Sequence, residues 1–440
     1  MQSYFYAVAD ELTRGLTGAE TLLLGFHGED SDFVRLNHAK VRQAGSVHQR
    51  SIALELVVGG RHASASTCVA GDAEIDLPRL RGLLEEVREK ITHLPDDPHF
   101  LYATEVQSSE RIGASRLPSS AAVIEEVATR AQDLDLVGIY AAGGIHAGFA
   151  NSLGQRNWYS NTSFNLDWSC YHEKDKAVKS RYAGFDWSSD EFVGKLDSAR
   201  QQLAVLARPA RSVEPGAYRV YLSPGALNEF LGTVARGGFG LKDHRTKQTS
   251  LLQMIEGSAR MSPMITLREN VKEGVSADFQ GLGFRKADEV TLIDNGVYRD
   301  CLISPRSARE YGVPTNGAGA WESPGSLDLA AGEVPRSEVL ARLGTGVYIN
   351  NLWYLNYSDR PACRITGMTR FATFWVENGE IVAPLNVMRF DETAYRVLGE
   401  NLIGLTRERD LILDPDTYGA RSTSSARLPG ALVDRFQFTL

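Results

Sequence analysis

The stretch that decides the fold class of this chain is FATFWVENGEIVAP, at residues 371–384. Aromatic and β-branched residues on both sides favour strands, and the Asn378-Gly379 pair between them is typical of a two-residue hairpin turn. Similar strand runs end at Asn295-Gly296 and at Gly59-Gly60. Helical patterns lie among these hairpins without a regular alternation of strand and helix. The sequence therefore predicts an α+β fold and not a doubly wound parallel sheet.

Polar, proline-containing stretches at 95–118 and 208–216 divide the chain into three segments. We expect an N-terminal α+β segment at 1–105 and a strand-rich middle segment with flanking helices at 106–210. The third segment, 215–440, reads as a large β-rich α+β domain. The sequence shows no short-period repeat and no low-complexity tract.

A helix with a clear start signal lies near the beginning of the third segment. Ser223 is a capping residue and Pro224 suits the first helical turn. Apolar residues then recur at helical spacing, at Leu227, Phe230, Leu231 and Val234. This pattern predicts a half-buried helix with one face on the core and the other toward solvent.

Composition excludes several classes of function. The chain has 440 residues, a net charge of −8 and 43 % hydrophobic residues, which is typical of an ordinary globular protein. Its acidic balance argues against nucleic-acid binding, because phosphate binding needs a positive surface. We expect no membrane span and no signal peptide, since no run of about 18 apolar residues occurs and no basic region precedes the first apolar run. Four widely spaced cysteines fit reduced thiols in a cytoplasmic protein.

The histidines cannot provide a helical pair of zinc ligands. No two of the nine are three to five residues apart, and residues 245–440 contain none. Catalytic zinc is commonly held by three protein ligands, often with two histidines on one helix. We therefore expect no catalytic metal site built on a histidine helix in this chain.

Two cysteines remain as possible nucleophiles, because no Gly-x-Ser-x-Gly motif is present. Cys301 and Cys363 would each need a base brought close by the fold. Cys363 stands between Arg360 and Arg364 in the sequence, and neighbouring cations lower the pKa of a thiol. An autonomous cysteine-type peptidase therefore stays open as an alternative.

Several motifs of the third segment occur in an order that resembles the TldD/PmbA family. They are IDNGVY at 293–298, GVYINNL at 346–352, RITG at 364–367 and WVENGEIVAP at 375–384. The resemblance is strongest over about residues 215–415 and weaker in the first two segments. It implies an α+β fold of the family type. It also implies a paired complex that trims unfolded peptides, such as leader peptides and antitoxin-like chains.

The resemblance further implies which branch of the family the chain follows. Its catalytic branch carries a His-Glu-x-x-x-His helix and a cysteine near the C-terminus. At the matching positions this chain has Asn228, Glu229 and Thr233, and Tyr418-Gly419-Ala420 stands where the cysteine is expected. The implied role is that of the branch called PmbA or TldE, a non-catalytic subunit. Zinc would then lie in a TldD-like catalytic partner.

The surface that meets peptide or partner is expected in the aromatic, asparagine- and arginine-rich run from 348 to 370. We select five candidate residues: Tyr348, Asn350, Asn351, Trp353 and Arg370. An extended peptide could pair with a strand edge there. A homodimer in isolation is compatible with this hypothesis. A further alternative is a binding module that sequesters a regulatory peptide.

Overall fold

Two β-sheets organise the chain, as seen in a computed structural model that describes residues 1–174 and 176–439. The elements of the first part are α1 (Gln2–Arg14), β1 (Glu20–Asn37), β2 (Lys40–Val58), β3 (Arg61–Cys68), α2 (Ala73–Ile91), β4 (Ser109–Ile112), α3 (Ser120–Arg130), β5 (Asp135–Asn151), β6 (Arg156–Glu173), β7 (Lys176–Gly184) and α4 (Ser189–Leu206). Its sheet has seven strands in the order β3-β2-β1-β5-β6-β4, with β7 paired to β6. Because β1 pairs with both β2 and β5, the expected segments 1–105 and 106–210 share this one sheet.

The second part is built on an eleven-stranded sheet. Its elements are β8 (Gly216–Leu222), α5 (Pro224–Ala235), α6 (Leu241–Arg245), α7 (Leu252–Ile255), β9 (Leu267–Asn270), β10 (Glu289–Asp294), β11 (Val297–Tyr298), α8 (Pro305–Tyr311), β12 (Ser326–Leu329), α9 (Val339–Leu343), β13 (Gly346–Asp359), β14 (Arg364–Glu377), β15 (Glu380–Pro384), β16 (Arg389–Thr393), β17 (Leu402–Leu413) and β18 (Ser425–Phe438). The strand order is β11-β10-β9-β12-β18-β16-β14-β13-β8, with β15 on β14 and β17 on β18. The predicted α+β class is confirmed.

The hairpin predicted at 371–384 is present. β14 and β15 are antiparallel, and Glu377 pairs with Glu380 across the turn. Asn378 has a φ of 53° and Gly379 a φ of 81°. Both values lie in the left-handed region that a tight hairpin turn requires and that asparagine and glycine tolerate best.

Helix α5 also forms as predicted. Ser223 Oγ accepts a hydrogen bond from the Ala226 N–H at 3.2 Å, and Pro224 occupies the first turn. Leu227 and Phe230 are fully buried in the core of the second part. The helix is thereby fixed against the sheet, with its other face free to line a cleft.

The two parts pack against each other through an apolar cluster and a buried arginine. Phe374 of β14 belongs to the same core cluster as Tyr140 and Phe164 of the first sheet. On the opposite face of that sheet, Arg421 from the loop between β17 and β18 donates to the Ser163 carbonyl at 3.1 Å and to Ser163 Oγ at 2.9 Å. Within the described residues, none of the helices has both the length and the apolarity needed to cross a membrane.

Candidate functional site

A cleft of about 690 Å³ lies where the two parts meet, and it is called the first cleft here. Lys179 of β7 and Lys195 of α4 line it from the first part. Ser223, Tyr348 and Asn350 line it from the second part. Burial raises the pKa of Tyr348 to about 12, so its hydroxyl stays protonated and polar at neutral pH.

A second cleft of about 520 Å³ continues along helix α5. Asn228, Glu229 and Gly232 line it from the helix, and Asp414 lines it from the loop after β17. Arg181 and Ile412 line both clefts. The two clefts therefore form one groove that follows α5, with Arg181 at the point where they join.

An ion pair at this junction ties the first part to α5. Arg181 Nη2 donates to Glu229 Oε1 at 2.9 Å, and Arg181 Nε donates to Asp167 Oδ2 at 3.2 Å. Lys179 contacts the other oxygen of Asp167. The Arg181 side chain is 15 % exposed and that of Glu229 is 37 % exposed. The carboxylate of Glu229 is therefore already paired with a cation of this chain.

Asn228 and Thr233, which stand at the two histidine positions of the His-Glu-x-x-x-His motif, face different sides of α5. Asn228 lines the second cleft, whereas Thr233 is buried and its Oγ1 donates to the Glu229 carbonyl at 3.0 Å. On a regular helix, residues five apart are separated by about 140° around the axis, but residues four apart by only about 40°. The residue that shares the cleft face with Asn228 is accordingly Gly232, where an added Cβ would meet nothing within 4 Å.

These side chains do not fit a zinc ion. Zinc is held by thiolate, imidazole or carboxylate groups, and the cleft face offers an amide at Asn228 and a carboxylate already bound to Arg181. Across residues 1–174 and 176–439, no group of three or more histidine, cysteine, aspartate or glutamate side chains is arranged to hold a metal ion.

The loop after β17 passes beyond the cleft before it reaches the position expected for a family cysteine. Asp414 lines the second cleft, but Tyr418 is 96 % exposed. The Gly419 carbonyl accepts a hydrogen bond from Gln49 Nε2 at 2.7 Å. The tail segment expected near the metal helix therefore contacts the first sheet.

The five residues expected to face peptide or partner divide between two places. Tyr348, Asn350 and Asn351 line the first cleft, although Asn351 is buried and its Nδ2 donates to the Leu352 carbonyl. Trp353 and Arg370 do not line this cleft, and they contact each other at the surface of the β13–β14 pair. The pairing of β13 with β14 shifts register between Ile349 and Asn351 and again beyond Trp353, which changes the faces of the side chains that follow.

An aromatic patch is formed by Trp353, Tyr354, Arg370 and Phe371. The Arg370 guanidinium lies 5.0 Å from the ring centre of Trp353 and 5.0 Å from that of Phe371. Trp353 is 51 % exposed and Tyr354 is 76 % exposed. Tyr354 and Phe371 both have positive φ angles, of 57° and 58°. The patch thus presents aromatic rings and one cation to solvent.

Neither candidate cysteine has the surroundings of a nucleophile. Burial raises the pKa of Cys301 to about 11 and that of Cys363 to about 12. Arg364 faces Asp391 at 3.7 Å, and the Arg360 guanidinium stacks on a tyrosine ring. The expectation that neighbouring arginines activate Cys363 is wrong, because loss of solvation outweighs their attraction for a thiolate.

Sequence reasoning missed Arg181, which the structure places at the centre of the groove. Its pairing with Glu229 joins residues of β7 and α5, which no local pattern connects. The sequence contained only a weak signal for Arg181. Lys179 and Arg181 are two residues apart on a strand, so both side chains project from the same face.

Comparisons with known proteins identify the family of the chain. The model of the PmbA/TldA metallopeptidase C-terminal domain matches residues 215–440. The chain belongs to the PmbA/TldD family. It is also similar to Metalloprotease PmbA of Escherichia coli O157:H7, with 28 % identity over 253 residues, which are 54 % of this chain and 52 % of that protein. The match thus spans about half the length of the curated relative.

Solved structures share the fold over nearly the whole chain. TldE from Thermococcus kodakarensis superposes with a TM-score of 0.80 at 13 % identity, covering 99 % of this chain and 100 % of that one. A Thermotoga maritima protein described as a candidate modulator of a DNA gyrase gives a TM-score of 0.77 at 14 % identity, covering 99 % of both chains. At such identities these two structures show a shared fold.

Proposed function

We propose that this chain is the non-catalytic, metal-free subunit of a heteromeric TldD/TldE-like zinc metallopeptidase. The groove along α5 forms part of its peptide channel, and the catalytic zinc belongs to a TldD-like partner. The observation that carries this proposal is the ion pair between Arg181 and Glu229 on the cleft face of α5. A glutamate acting as general base in a metallopeptidase needs a metal-bound water, and here an arginine of the same chain occupies its carboxylate.

The groove suits an extended, unfolded peptide. Its two clefts join end to end at Arg181 and are lined by polar groups of both parts of the chain. An extended peptide advances about 3.3 Å per residue, so a groove along a helix of 12 residues and its approaches accommodates several residues. Polar groups that contact the main chain of a peptide can bind peptides of many sequences. Trimming of leader peptides or antitoxin-like chains in the cytoplasm requires such broad binding.

The aromatic patch is the surface we assign to the catalytic partner. Interfaces are enriched in tryptophan, tyrosine and arginine, and a few such residues supply most of the binding energy. Trp353, Tyr354 and Arg370 are of these types; the two aromatic residues are exposed, and the partly exposed Arg370 lies against the ring of Trp353. The same patch allows a homodimer when no partner is present.

Reconstitution tests the proposal. The purified chain, a TldD-like protein and an equimolar mixture of the two are compared by light scattering after size exclusion and by cleavage of an unfolded peptide pool. We expect a mixed complex whose cleavage requires both chains and is abolished by a zinc chelator. Full cleavage by the TldD-like protein alone, with no mixed complex, would contradict the proposal.

Two alternatives lead to different results in the same assay. A binding module that sequesters a peptide would protect that peptide from cleavage and would bind it without any partner. A cysteine-type peptidase would cleave alone and would be inhibited by thiol reagents. The raised pKa values of Cys301 and Cys363 argue against the second alternative.

A further inference from the structure

A polar trough crosses the first sheet on the face that carries the helices. On β1, Leu24 and Phe26 pack in the cluster that includes α1 and α2, whereas Val34 and Leu36 pack in the cluster that includes α3. Between them, on the same face, come Gly28, Asp30 and Asp32. These residues belong to neither apolar cluster, and the Asp30 side chain is 29 % exposed. The trough is therefore open to solvent.

A serine, a histidine and an aspartate meet in this trough. Ser160 of β6 stands directly opposite His146 of β5, and Ser160 Oγ lies 2.9 Å from His146 Nδ1. His146 Nε2 lies 3.7 Å from Asp30 Oδ2, beyond hydrogen-bond distance, and Asp30 Oδ1 lies 2.8 Å from His48 Nδ1. A histidine that carries its proton on Nε2, toward the carboxylate, leaves Nδ1 free to accept the serine proton.

Gly144 makes room for the imidazole. A Cβ at Gly144 would lie 2.9 Å from His146 Nε2, so any side chain there would push the ring away from Asp30. Gly144 does not have a positive φ, so the backbone conformation does not by itself require glycine at this position.

We propose that Ser160 is an activated nucleophile, with His146 as its general base and the Asp30 carboxylate as the nearby charge that stabilises the imidazolium. Ser160 Oγ attacks an acyl carbon while its proton passes to His146 Nδ1, and the leaving group departs with that proton. Water then attacks the acyl-serine, gives its proton through His146 to Ser160 Oγ, and releases the acid.

The surroundings of Ser160 define the class of substrate. Ser160 is paired with β5 on one side and with β4 on the other, so its main chain belongs to the sheet. A strand backbone held in this way does not supply the pair of free N–H groups that stabilises an oxyanion. The site therefore suits acyl compounds with good leaving groups, such as aryl esters and thioesters, and not peptides.

The protonation state of His146 supports the role of base. Burial lowers the pKa of His146 below its ordinary value, and only Asp30 among the neighbouring charges opposes this effect. The Met1 ammonium, Arg50 and His27 act in the same direction as burial. The imidazole is therefore mostly neutral at pH 7, as a general base must be.

Covalent labelling of the full chain tests this proposal. A fluorophosphonate probe should add once, at Ser160 by peptide mass mapping, and p-nitrophenyl acetate should be hydrolysed. Ser160→Ala should abolish both, and His146→Gln should slow labelling about a hundredfold. Ser46→Ala is the matched control, since Ser46 Oγ donates to Asp32 in the same trough but contacts no imidazole, and it should label like the wild type.

A pH profile of the wild-type chain serves if His146→Gln does not fold. The labelling rate should reach half its maximum below pH 6.5 and stay level from pH 7 to pH 8, because the base has a lowered pKa. Absence of any adduct, or an equal adduct on Ser160→Ala, would overturn the proposal. Neither result depends on a partner subunit or on peptide cleavage.

Discussion

Arg181 Nη2 lies 2.9 Å from Glu229 Oε1, and this contact joins strand β7 of the first sheet to helix α5 of the second part. The glutamate of the matched helix motif thus has a structural partner in place of a metal-bound water. The same arginine lines both clefts of the groove at the point where they join. Both the stability of the junction and the chemistry of the helix depend on this pair.

Arg181→Met should lower the free energy of unfolding by about 1–2 kcal/mol, because it leaves Asp167 and Glu229 without their shared cation in a partly buried place. Glu229→Gln should cost less than about 1 kcal/mol, since Glu229 is 37 % exposed. Urea unfolding of the two single variants and the double variant gives the coupling free energy between Arg181 and Glu229. Arg236 is exposed and lines the second cleft, so Arg236→Ala is the control and should leave the free energy of unfolding unchanged. Equal stability of Arg181→Met and wild type would show that the pair contributes nothing.

Asn228→His with Thr233→His should not create a peptidase, even though it restores the family spacing. Thr233 is buried and turned about 140° from Asn228, so the second imidazole cannot reach an ion in the cleft without a distortion of α5. Asn228→His with Gly232→His should bind zinc at least tenfold more tightly, because positions four apart share a face. Competition with a chromophoric chelator measures both affinities. Zinc-dependent peptide cleavage by the Thr233→His double variant alone would refute the assignment of α5 as non-catalytic.

Cys301→Ala and Cys363→Ala should leave peptidase activity of the reconstituted complex within about twofold of wild type. With pKa values of about 11 and 12, both thiols are protonated at pH 8. Iodoacetamide should react first with the exposed Cys68, and Cys68→Ser should remove this fast phase. A hundredfold loss of activity in either alanine variant, with folding preserved, would instead favour the cysteine-peptidase alternative.

Arg421→Ala should destabilise the chain by about 3–5 kcal/mol. Glu29 is 1 % exposed, and its carboxylate accepts a hydrogen bond from the Arg421 backbone N–H at 3.4 Å. Loss of the guanidinium removes its three charged hydrogen bonds to Gly143 and Ser163, together with its longer-range attraction for the buried Glu29 carboxylate. Urea denaturation measures the change, with Arg219→Ala as a surface ion-pair control expected below about 1 kcal/mol. A loss as small as that of the control would mean that Arg421 does not hold the two parts together.

Trp353→Ala should weaken binding to the TldD-like partner by about 10- to 100-fold, because an exposed tryptophan beside an arginine is the type of residue that dominates interfaces. Trp321→Ala is the matched control. It removes a tryptophan that is 90 % exposed and lies outside the aromatic patch. Surface plasmon resonance on both variants gives the affinities. A larger effect at Trp321 than at Trp353 would move the partner surface to the loop between α8 and β12 that carries Trp321.

The sequence by itself determined the features that adjacent residues encode. The hairpin at 371–384 follows from an Asn-Gly turn between β-favouring runs, and α5 follows from its serine cap, its proline and its apolar spacing. The family and the α+β class follow from the order of such local motifs. The lack of histidine in residues 245–440, and hence of a histidine helix there, is a property of composition alone.

Only the tertiary structure decided which distant residues meet. It paired β1 with both β2 and β5, and so joined 1–105 to 106–210 in one sheet. It set Arg181 against Glu229, and it moved Trp353 away from Asn350 through irregular pairing in β13. The physical reason is that turns and periodicity arise from neighbours along the chain. Strand partners, register shifts and ion pairs are selected instead by the packing of whole elements, which no local pattern records.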